Sequence, residues 1–456
     1  RHGYAEAILF GHALEGNLHF VFPQGFEKPG EVERYQALMD EVAQLVAVEY
    51  GGSLKAEHGT GRNMAPYVEL EWGPEAYALM WEIKALFDPE NQLNPEVILS
   101  RNPTLHLENL KPLPAAHEIV DKCIECGFCE HVCPSRDLTL TPRQRIVITR
   151  EVARLEALGD SAGEADAVRL ASLRGGLAYH VDATCAVDGL CETQCPVGIN
   201  TGDLVRDMRR RRPSQRAGLA RRIGRHFDGV TRLARGSLRA AGAVNKLMGD
   251  SLMSRAARGA RRLSGERVPL WTPALPGAAP VRVLGELPDA GDDRPRVVYL
   301  PSCATRMFGA DRCDAGEPRS VMEITLALLD RAGFSVVIPE RVDSLCCGMA
   351  FRSKGQFDEA EHKGRELNRE LLAASENGRY PILCDTSPCT LQMQESLDAC
   401  LALHEPVTFA HDHLLPRLSI RPLHERVAVH VTCSSTRMGL GEKMIALARA
   451  CASEVV

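Results

Sequence analysis

Short apolar runs and a helical apolar repeat mark the predicted elements at the start of the chain. Residues 7–12 and 17–22 are mostly apolar and adjoin the glycine-bounded segment 11–16, which predicts two short strands joined by a reversal. Between residues 31 and 50, apolar side chains recur every three or four positions, which predicts a helix.

The C-terminal third of the chain combines strand and helix patterns. Residues 297–300 form an apolar strand pattern, a helical pattern follows over residues 321–333, and residues 336–338 form a second strand pattern. This order predicts a parallel α/β segment. Residues 427–438 repeat the pattern of residues 297–307, so we also predict an internal repeat.

Charge is distributed unevenly along the chain, whose formal net charge is -6. Residues 206–267 carry 18 Lys and Arg against four Asp and Glu, which leaves 36 against 56 in the remainder. Apolar residues recur at helical spacing within this stretch, which predicts a basic amphipathic helix with these residues on one face: Leu219, Ile223, Phe227, Val230 and Leu233. Two interpretations stay open, since the helix can pack on neighbouring domains or contact an anionic membrane surface. We expect no nucleic acid partner, because no aromatic platform or base-reading motif accompanies the charge.

Composition narrows the class of protein. The chain has 456 residues, of which 45% are hydrophobic and 25% charged, as in soluble globular proteins of several domains. No apolar run reaches the roughly 18 to 20 residues that a membrane-spanning helix needs. The 16 cysteines have the spacings of metal-binding loops, so we predict metal ligands in a reducing compartment. We therefore expect a cytoplasmic protein, peripheral on the inner face of the cell membrane if the basic stretch binds lipid. We also expect it to be part of a longer polypeptide, because the first residue is an arginine and not a methionine.

The first cysteine run has the spacing of an iron-sulfur loop. Cys123, Cys126, Cys129 and Cys133, with Pro134 after the last, form C-x-x-C-x-x-C-x-x-x-C-P. In two-cluster ferredoxins the first three cysteines of such a run bind one cluster and the fourth binds the other. Paired cysteines also suit a structural zinc site. The terminal Cys-Pro and the presence of a second run favour iron-sulfur clusters and electron transfer.

The second run repeats this frame with one substitution. Cys185, Cys191 and Cys195 occupy three of the cysteine positions, and Asp188 stands at the remaining one. Crossed ligation predicts a first cluster bound by Cys123, Cys126, Cys129 and Cys195, and a second bound by Cys185, Cys191 and Cys133. The second set lacks one thiolate, so two outcomes are open. Either Asp188 binds the fourth iron through oxygen, or that iron is absent and the cluster is 3Fe-4S; we favour an oxygen-ligated or labile 4Fe-4S cluster.

Two histidines and a glutamate near the start form a candidate metal site. His12 and His19 flank the predicted reversal, so both rings can converge, and Glu57 and His58 lie in a later glycine-rich segment. Zinc and similar divalent ions accept two histidines and a carboxylate and keep one position open. We therefore predict a divalent metal, zinc first, bound by His12, His19 and Glu57, with the open position for a substrate hydroxyl.

The motifs that contain these residues resemble one flavoenzyme family. Residues 11–19 (GHALEGNLH), 57–61 (EHGTG) and 86–95 (LFDPENQLNP) resemble the C-terminal, substrate-capping half of the FAD-linked oxidases. This part of the vanillyl-alcohol-oxidase superfamily includes the D-lactate, glycolate and D-2-hydroxyglutarate dehydrogenases. The resemblance implies that the protein uses FAD, bound mainly by a domain upstream of residue 1. It also implies that the same three residues bind the divalent metal and that His58 is the base that takes the hydroxyl proton. Apolar residues 20–22 favour a small apolar substrate side chain such as that of lactate.

The cysteines of the C-terminal α/β segment resemble those of another family. Cys303 is followed by the adjacent pair Cys346 and Cys347, which precedes a glycine, and then by Cys384 and Cys389. This order resembles the cysteine-rich CCG domain of heterodisulfide reductases and of the iron-sulfur subunits of glycolate and anaerobic glycerol-3-phosphate dehydrogenases. Adjacent cysteines favour a multi-iron cluster or a vicinal disulfide over a single metal ion. The closing C-x-x-C of that family is interrupted, because a threonine occupies its first position. Two interpretations therefore stay open: structural thiols, or a further iron-sulfur cluster bound by Cys303, Cys346, Cys347 and Cys389.

These patterns predict a multidomain α+β protein. A ferredoxin-like cap of a VAO/PCMH-type flavoenzyme spans residues 1–105 and an α-helical two-cluster ferredoxin domain spans 106–205. A basic linker over residues 206–290, an α/β CCG repeat over 291–420 and the start of a second repeat over 421–456 follow. Three further cysteines lack partner spacing and are expected to be isolated core or surface thiols: Cys313, Cys400 and Cys451.

The domain order resembles that of the large fused bacterial D-lactate dehydrogenases, which carry FAD and iron-sulfur centres on one polypeptide. It implies oxidation of a D-2-hydroxy acid, with D-lactate, which gives pyruvate, as the preferred candidate. The electrons would pass through iron-sulfur clusters to a quinone or cytochrome. D-2-hydroxyglutarate and glycolate are the alternative substrates. Two other functions stay open: an electron-transfer module without an oxidation site of its own, and thiol-disulfide reduction at the CCG domain.

Overall fold

The computed structural model describes residues 1–456 except for positions 6, 13, 23, 27, 56, 112, 213–216, 281–293 and 311–318. The chain forms two compact units. Unit 1 contains Arg1–Ala116 and Thr149–Ala167, and unit 2 contains His117–Ile148 and Val168–Val456. The expected isolated thiol Cys313 lies outside the described residues.

An antiparallel hairpin opens unit 1. Strand β1 (Ile8–His12) pairs with β2 (Asn17–Val21), and His12 lies opposite Asn17 at the turn end of the ladder. The prediction of two strands joined by a reversal is confirmed. The reversal brings the rings of His12 and His19 within 5.3 Å of each other, measured between centroids.

Two helices follow the hairpin in unit 1. Helix α1 (Glu31–Ala43) continues as a π-helical segment (Gln44–Glu49), which confirms the helix predicted over this stretch. Helix α2 (Val68–Phe87) is kinked at Gly73, where φ is 80°. The buried residues of this part form one apolar cluster: Tyr35, Met39, Ala43 and Tyr67. Two further helices, α3 (Pro142–Leu158) and α4 (Glu164–Leu177), have residues in both units.

Cysteine-bearing loops and short helices form the first part of unit 2. Helix α5 (Leu190–Thr193) lies within the second cysteine run, and α6 (Thr201–Arg211) follows it. The Asn200 side chain begins α6 by accepting a hydrogen bond of 2.9 Å from the amide of Gly202. Residues 117–211, all of which are described, contain helices and no strand, in agreement with an α-helical ferredoxin domain. The loops enclose a small core: Val120, Ile146, Ile199 and Leu204.

The basic linker is helical, but it is not the single amphipathic helix that the spacing predicts. Helix α7 (Ala217–Arg225) ends before His226, whose backbone leaves the helical region, and α8 (Phe227–Leu263) follows. Because of this break, only part of the predicted apolar face packs against the rest of unit 2. Phe227 belongs to the packed part and is buried against Phe351. Two of the predicted apolar positions are more than half exposed: Leu219 and Leu233. Among the described residues, no helix has the length and apolar character needed to span a bilayer.

A parallel sheet of four strands follows, which confirms the predicted α/β segment. The sheet has the order β4-β3-β5-β6, with β3 (Arg296–Leu300), β4 (Ser335–Val337), β5 (Ile382–Cys384) and β6 (Leu403–His404). Successive residues of β3 enter apolar cores on opposite faces of the sheet, as expected for a covered parallel sheet. The helices of this segment are α9 (Cys303–Met307), α10 (Val321–Arg331), α11 (Met349–Ser353), α12 (Phe357–Ala374), α13 (Ser387–Ser396) and α14 (Pro406–Phe409).

The last part of unit 2 repeats the start of this segment. It contains β7 (Leu423–Val427), α15 (Cys433–Arg437), α16 (Gly441–Cys451) and β8 (Ala452–Val455), and β7 pairs with β8 in parallel. Helices α9 and α15 both begin at a cysteine and have five residues. The residue before each helix, Ser302 or Thr432, contacts the hydroxyl of the third helical residue at 3.0 Å. The helix start of the predicted repeat is therefore present in the local structure, whereas its strand is displaced, because β7 ends at Val427, where the repeated pattern begins.

Candidate metal and iron-sulfur sites

Three predicted metal ligands lie together at the turn end of the hairpin in unit 1. His12 ends β1, His19 lies on β2, and Glu57 reaches them from the loop that follows the π-helical segment. Their ligand atoms all lie within 4.8 Å of one another. Oε1 of Glu57 is 3.3 Å from Nε2 of His12 and 3.2 Å from Nε2 of His19. The structure thus brings together residues that are 45 positions apart in the sequence.

The polar groups of this site fit a divalent cation. Nε2 of His19 is buried and makes no hydrogen bond, so it is free to bind a metal. Asn17 donates a hydrogen bond of 2.9 Å from Nδ2 to Oε2 of Glu57, which leaves Oε1 directed at the two imidazoles. Desolvation acts to raise the pKa of Glu57, but the Asn17 hydrogen bond and the neighbouring histidines lower it overall. An ionised carboxylate beside two imidazoles is a donor set that zinc accepts.

The predicted base lies beside these ligands. Nε2 of His58 is 3.5 Å from Oε1 of Glu57, and its ring centroid is 5.1 Å from that of His19. The side chain of His58 is 78% exposed, so a small substrate can reach the ring. A group bound at the open metal position would therefore lie close to an imidazole that can take a proton.

The cysteines of the two runs line two separate cavities in unit 2. The first cavity, of about 360 Å³, is lined by Cys123, Cys126, Cys129 and Cys195. The second cavity, of about 280 Å³, is lined by Cys133, Cys185, Asp188 and Cys191. Each cavity takes one cysteine from the other run, which is the crossed arrangement expected of two-cluster ferredoxins.

The two runs fold into the same loop. The residues that flank the second ligand position are left-handed in both: φ is 58° at Glu125 and 85° at Gly127, and 56° at Val187 and 78° at Gly189. Cys126 and Asp188 therefore occupy equivalent positions, each between two residues of unusual backbone conformation. The equivalence makes the carboxylate a substitute in space for the missing thiol, as well as in sequence.

Asp188 uses only one of its two oxygens within the protein. Oδ1 accepts a hydrogen bond of 3.1 Å from the amide of Leu190, at the start of α5. Oδ2 is buried and makes no hydrogen bond. A buried carboxylate oxygen without a partner is costly to leave in that state. This oxygen is therefore available to a metal ion or to a proton.

Three of the thiols at these cavities hold their protons tightly. Burial raises the pKa of Cys185 and Cys191, and it raises the pKa of Cys129 to about 11. Because a cysteine binds metal as the thiolate, cluster insertion must displace these protons. Cluster formation is accordingly expected to become easier as the pH rises.

Sequence analysis missed a buried cation at the second cavity. Arg145 is only 1% exposed and lies among the residues that line this cavity. It donates from Nη1 to Sγ of Cys133 at 3.7 Å and from Nη2 to the carbonyl oxygen of Thr184 at 3.4 Å. A positive charge at this place offsets the negative charge of bound thiolates. In the sequence it is one of four arginines in α3, and no local signal separates it from the others.

A third cavity, of about 260 Å³, lies at the carboxyl ends of β3 and β5. It is lined by five cysteines: Cys303, Cys346, Cys347, Cys384 and Cys389. The four predicted ligands therefore lie together, and Cys384 joins them although its spacing departs from the family pattern. Strand β5 ends at Cys384 and α13 begins at Ser387, so the turn between strand and helix takes up the two extra residues.

The thiols of the third cavity interact directly with one another. A hydrogen bond with Cys346 raises the pKa of Cys303, whereas hydrogen bonds from Cys346 and Cys389 lower the pKa of Cys347 well below its ordinary value. Arg306, 3% exposed, lies against the same cavity and donates to the carbonyl oxygen of Leu345 at 2.5 Å. A buried cation at a cavity lined by cysteines offsets the negative charge that bound thiolates would carry.

Three family models match the chain. The model of the FAD linked oxidases, C-terminal domain, matches residues 1–98, that of the 4Fe-4S dicluster domain matches residues 119–199, and that of the cysteine-rich domain matches residues 297–394. These domains confirm the predicted multidomain fold class, and their order fits a fused FAD and iron-sulfur D-2-hydroxyacid dehydrogenase. The metal ligands, the two cysteine runs and the third cavity each lie within one of the matched regions.

Curated relatives cover limited parts of the chain. Glycolate oxidase subunit GlcD of Bacillus subtilis is 38% identical over 93 residues, which are 20% of this chain and 20% of that protein. D-lactate dehydrogenase of Anaerostipes hadrus is 35% identical over 86 residues, 19% of this chain and 18% of that protein. D-2-hydroxyglutarate dehydrogenase of Haemophilus influenzae is 30% identical over 238 residues, 42% of this chain and 23% of that protein. The chain thus spans about a fifth of the length of these relatives, and no solved structure matches it.

The matches support an oxidoreductase with an FAD-linked oxidase domain and iron-sulfur domains. The three relatives are named for three different 2-hydroxy acids, so their names do not agree on one substrate. Two of the cysteines expected to be isolated, Cys400 and Cys451, are exposed thiols.

Proposed function

We propose that the complete protein oxidises a small D-2-hydroxy acid, D-lactate first, and passes the electrons through iron-sulfur clusters to a quinone or cytochrome. One observation carries the proposal: the ligand atoms of His12, His19 and Glu57 lie within 4.8 Å of one another. His58 lies beside them with its side chain exposed. The matched FAD-linked oxidase and 4Fe-4S dicluster domains support the two halves of the proposal.

The residues around the hairpin have distinct roles in this proposal. A divalent cation, zinc first, bound by the three ligands would bind the 2-hydroxyl oxygen and lower its pKa. His58 takes the hydroxyl proton at Nε2, and Asn17 holds Glu57 in place by its hydrogen bond. FAD, bound mainly by residues outside this chain, supplies the hydride acceptor.

An apolar ring beside the metal ligands favours a small apolar substrate side chain. Phe10 stacks on His19, with ring centroids 4.8 Å apart and an interplanar angle of 2°, and it is 52% exposed. Of the apolar residues 20–22, Phe22 packs into the core against Tyr35, so it cannot contact a substrate at the metal. Phe10, and not Phe22, would therefore supply the apolar contact that the sequence suggested for residues 20–22. An apolar contact of this kind supports lactate as the first acid to test.

The iron-sulfur half of the proposal rests on the three cysteine-lined cavities. In this proposal the cysteines of the first two cavities bind the two clusters of the dicluster domain, and the CCG cysteines of the third bind a further cluster. Bound clusters are one-electron carriers that connect a two-electron flavin to a membrane acceptor. We also propose contact of α8 with an anionic membrane surface, because this arginine-rich helix leaves Leu247 and Leu263 88% and 92% exposed.

Replacing His58 by alanine in the complete protein tests the catalytic half. We expect kcat for D-lactate to fall by about 10²- to 10⁴-fold, with unchanged metal and FAD content, because general base catalysis is lost. His430→Ala, which removes an exposed histidine of unit 2, is the control. Undiminished D-lactate oxidation by His58→Ala would instead favour an electron-transfer module without an oxidation site. Parallel assays with D-2-hydroxyglutarate and glycolate decide among the acids.

A further inference from the structure

Helix α15, the first helix of the second repeat, lies against the second cysteine run. Arg437 at its end pairs with Glu192 of α5 at 3.4 Å and with Glu395 of α13 at 3.0 Å. Its guanidinium also lies against Gly189, since a Cβ atom on that glycine would be 2.9 Å from Nε of Arg437. Helix α15 thus contacts the residue that follows Asp188 in the loop of the second cavity.

Cys433 begins α15 one helical turn before Arg437, so the two side chains lie on the same face of the helix. Because Arg437 contacts Gly189 and Glu192, this face of α15 is directed at the second cysteine run. Desolvation, and after it the charge of Asp188, raises the pKa of the Cys433 thiol. Cys433 is exposed at the start of its helix. A change of its χ1 rotamer can therefore redirect the sulfur without moving the helix backbone.

The equivalent cysteine of the first repeat has different surroundings. Cys303 begins α9 as Cys433 begins α15, but Cys303 lines the third cavity and interacts with Cys346. Cys433 instead lies on the helix face that contacts Gly189 and Glu192 through Arg437, and it is not one of the residues that line the second cavity. That cavity is lined by three cysteines, whereas the first is lined by four and the third by five. The second repeat therefore places a thiol on the side of the loop whose cavity is one thiol short.

We propose that Cys433 supplies the fourth thiolate to a 4Fe-4S cluster in the second cavity, together with the three cysteines that line it. The inference rests on the proposed iron-sulfur function, and it replaces Asp188 as the fourth ligand. Soft thiolates are the ligands that iron-sulfur clusters select, whereas carboxylates suit harder ions. The thiol proton passes to solvent when sulfur binds iron, and no electron is transferred in this step. Asp188 keeps its hydrogen bond from Leu190.

Iron analysis and EPR of the complete protein, reconstituted anaerobically with iron and sulfide, test this assignment. Cys433→Ala is expected to lose about one iron per chain and to show a 3Fe-4S signal when oxidised, because a cluster with three thiolates holds its fourth iron weakly. Asp188→Ala is expected to keep the iron content and the reduced 4Fe-4S signals of the parent. Cys451→Ala, which removes an exposed thiol from the same repeat, is the matched control.

Each outcome decides one question. Cys433→Ala with the iron content and signals of the parent overturns the proposal, and a 3Fe-4S signal in Asp188→Ala then assigns the fourth ligand to the carboxylate. If the alanine variant fails to fold, Cys433→Ser takes its place. A serine ligand changes the EPR signals of the second cluster, and signals identical to those of the parent speak against ligation by residue 433. A parent protein that binds no iron and sulfide contradicts the proposed electron-transfer function itself, which separates that failure from a wrong ligand.

Discussion

Asn17 donates a hydrogen bond of 2.9 Å from Nδ2 to Oε2 of Glu57. Its Oδ1 accepts a hydrogen bond of 3.0 Å from the backbone amide of His12, so one side chain fixes both a strand end and a candidate ligand. We expect Asn17→Ala to weaken divalent metal binding by about 10- to 100-fold, because outer groups that orient metal ligands have effects of this size. Metal retained during dialysis against graded chelator measures the change. Retention equal to that of the parent would count against a metal at this place.

Asp88 provides a test of pH dependence in unit 1. It pairs with Lys84 and accepts hydrogen bonds from the amides of Gln92 at 2.9 Å and Leu93 at 2.8 Å. These contacts, with the Lys84 hydrogen bond first, lower the pKa of Asp88 to about 2. Because its pKa is lower in the folded state than in the unfolded state, the ionised carboxylate stabilises the fold above about pH 4, and this contribution is lost as the pH falls towards 2.

Asp88→Asn is therefore expected to lower Tm at pH 7, and the difference from the parent should shrink as the pH falls below about 4. Thermal unfolding followed by circular dichroism at several pH values measures this difference. A loss of Tm that is the same at pH 7 and pH 3 would mean that Asp88 acts through its shape and not through its charge.

Gly189→Ala tests the loop of the second cavity. Gly189 has a φ of 78°, and an added Cβ would lie 2.9 Å from Nε of Arg437. We expect this change to destabilise unit 2 by about 1–3 kcal/mol, the usual cost of a side chain in the left-handed region. Gly218→Ala in α7 is the control, since nothing lies within 4 Å of its added Cβ and its φ is not positive. Thermal unfolding of both variants gives the comparison, and equal Tm values would contradict the strain.

Phe227→Ala tests whether the basic linker packs on the α/β segment. Phe227 is 9% exposed, its ring centroid is 6.5 Å from that of Phe351, and Nζ of Lys363 lies 5.4 Å from it. Removing a buried phenylalanine costs about 3–5 kcal/mol, so a clear fall in Tm is expected. Leu233→Ala changes a side chain that is 72% exposed, and its effect is expected to stay within about 0.5 kcal/mol.

Comparison of the two variants decides between the two interpretations of the basic linker at this position. A fall in Tm for Phe227→Ala alone supports a helix packed on its neighbour. Similar Tm values for both variants, together with loss of binding to anionic vesicles for Phe227→Ala, would favour a membrane-facing side chain at residue 227.

Local patterns predicted the parts of the fold that depend on neighbouring residues. The hairpin at Ile8–His12 and Asn17–Val21 and the strand at Arg296–Leu300 follow from apolar runs bounded by turns. The basic linker was predicted less well, because helical spacing continues through His226 although the backbone does not. A break of this kind depends on what each half of the segment packs against. The spacing of apolar residues along the segment does not specify those packing partners.

The ligand spacing of the cysteine runs, the hairpin that brings His12 to His19, and the parallel α/β segment follow from the sequence alone, because each depends on short stretches of chain. The burial of Arg145 at the second cavity, the place of Cys384 in the third, and the packing of α15 against the second cysteine run are visible only in the folded chain. These relationships join residues far apart in the sequence, as in the contact between Arg437 and Glu192, 245 positions apart. Such contacts depend on how whole helices and loops pack, and no local pattern of apolar and polar residues specifies that packing.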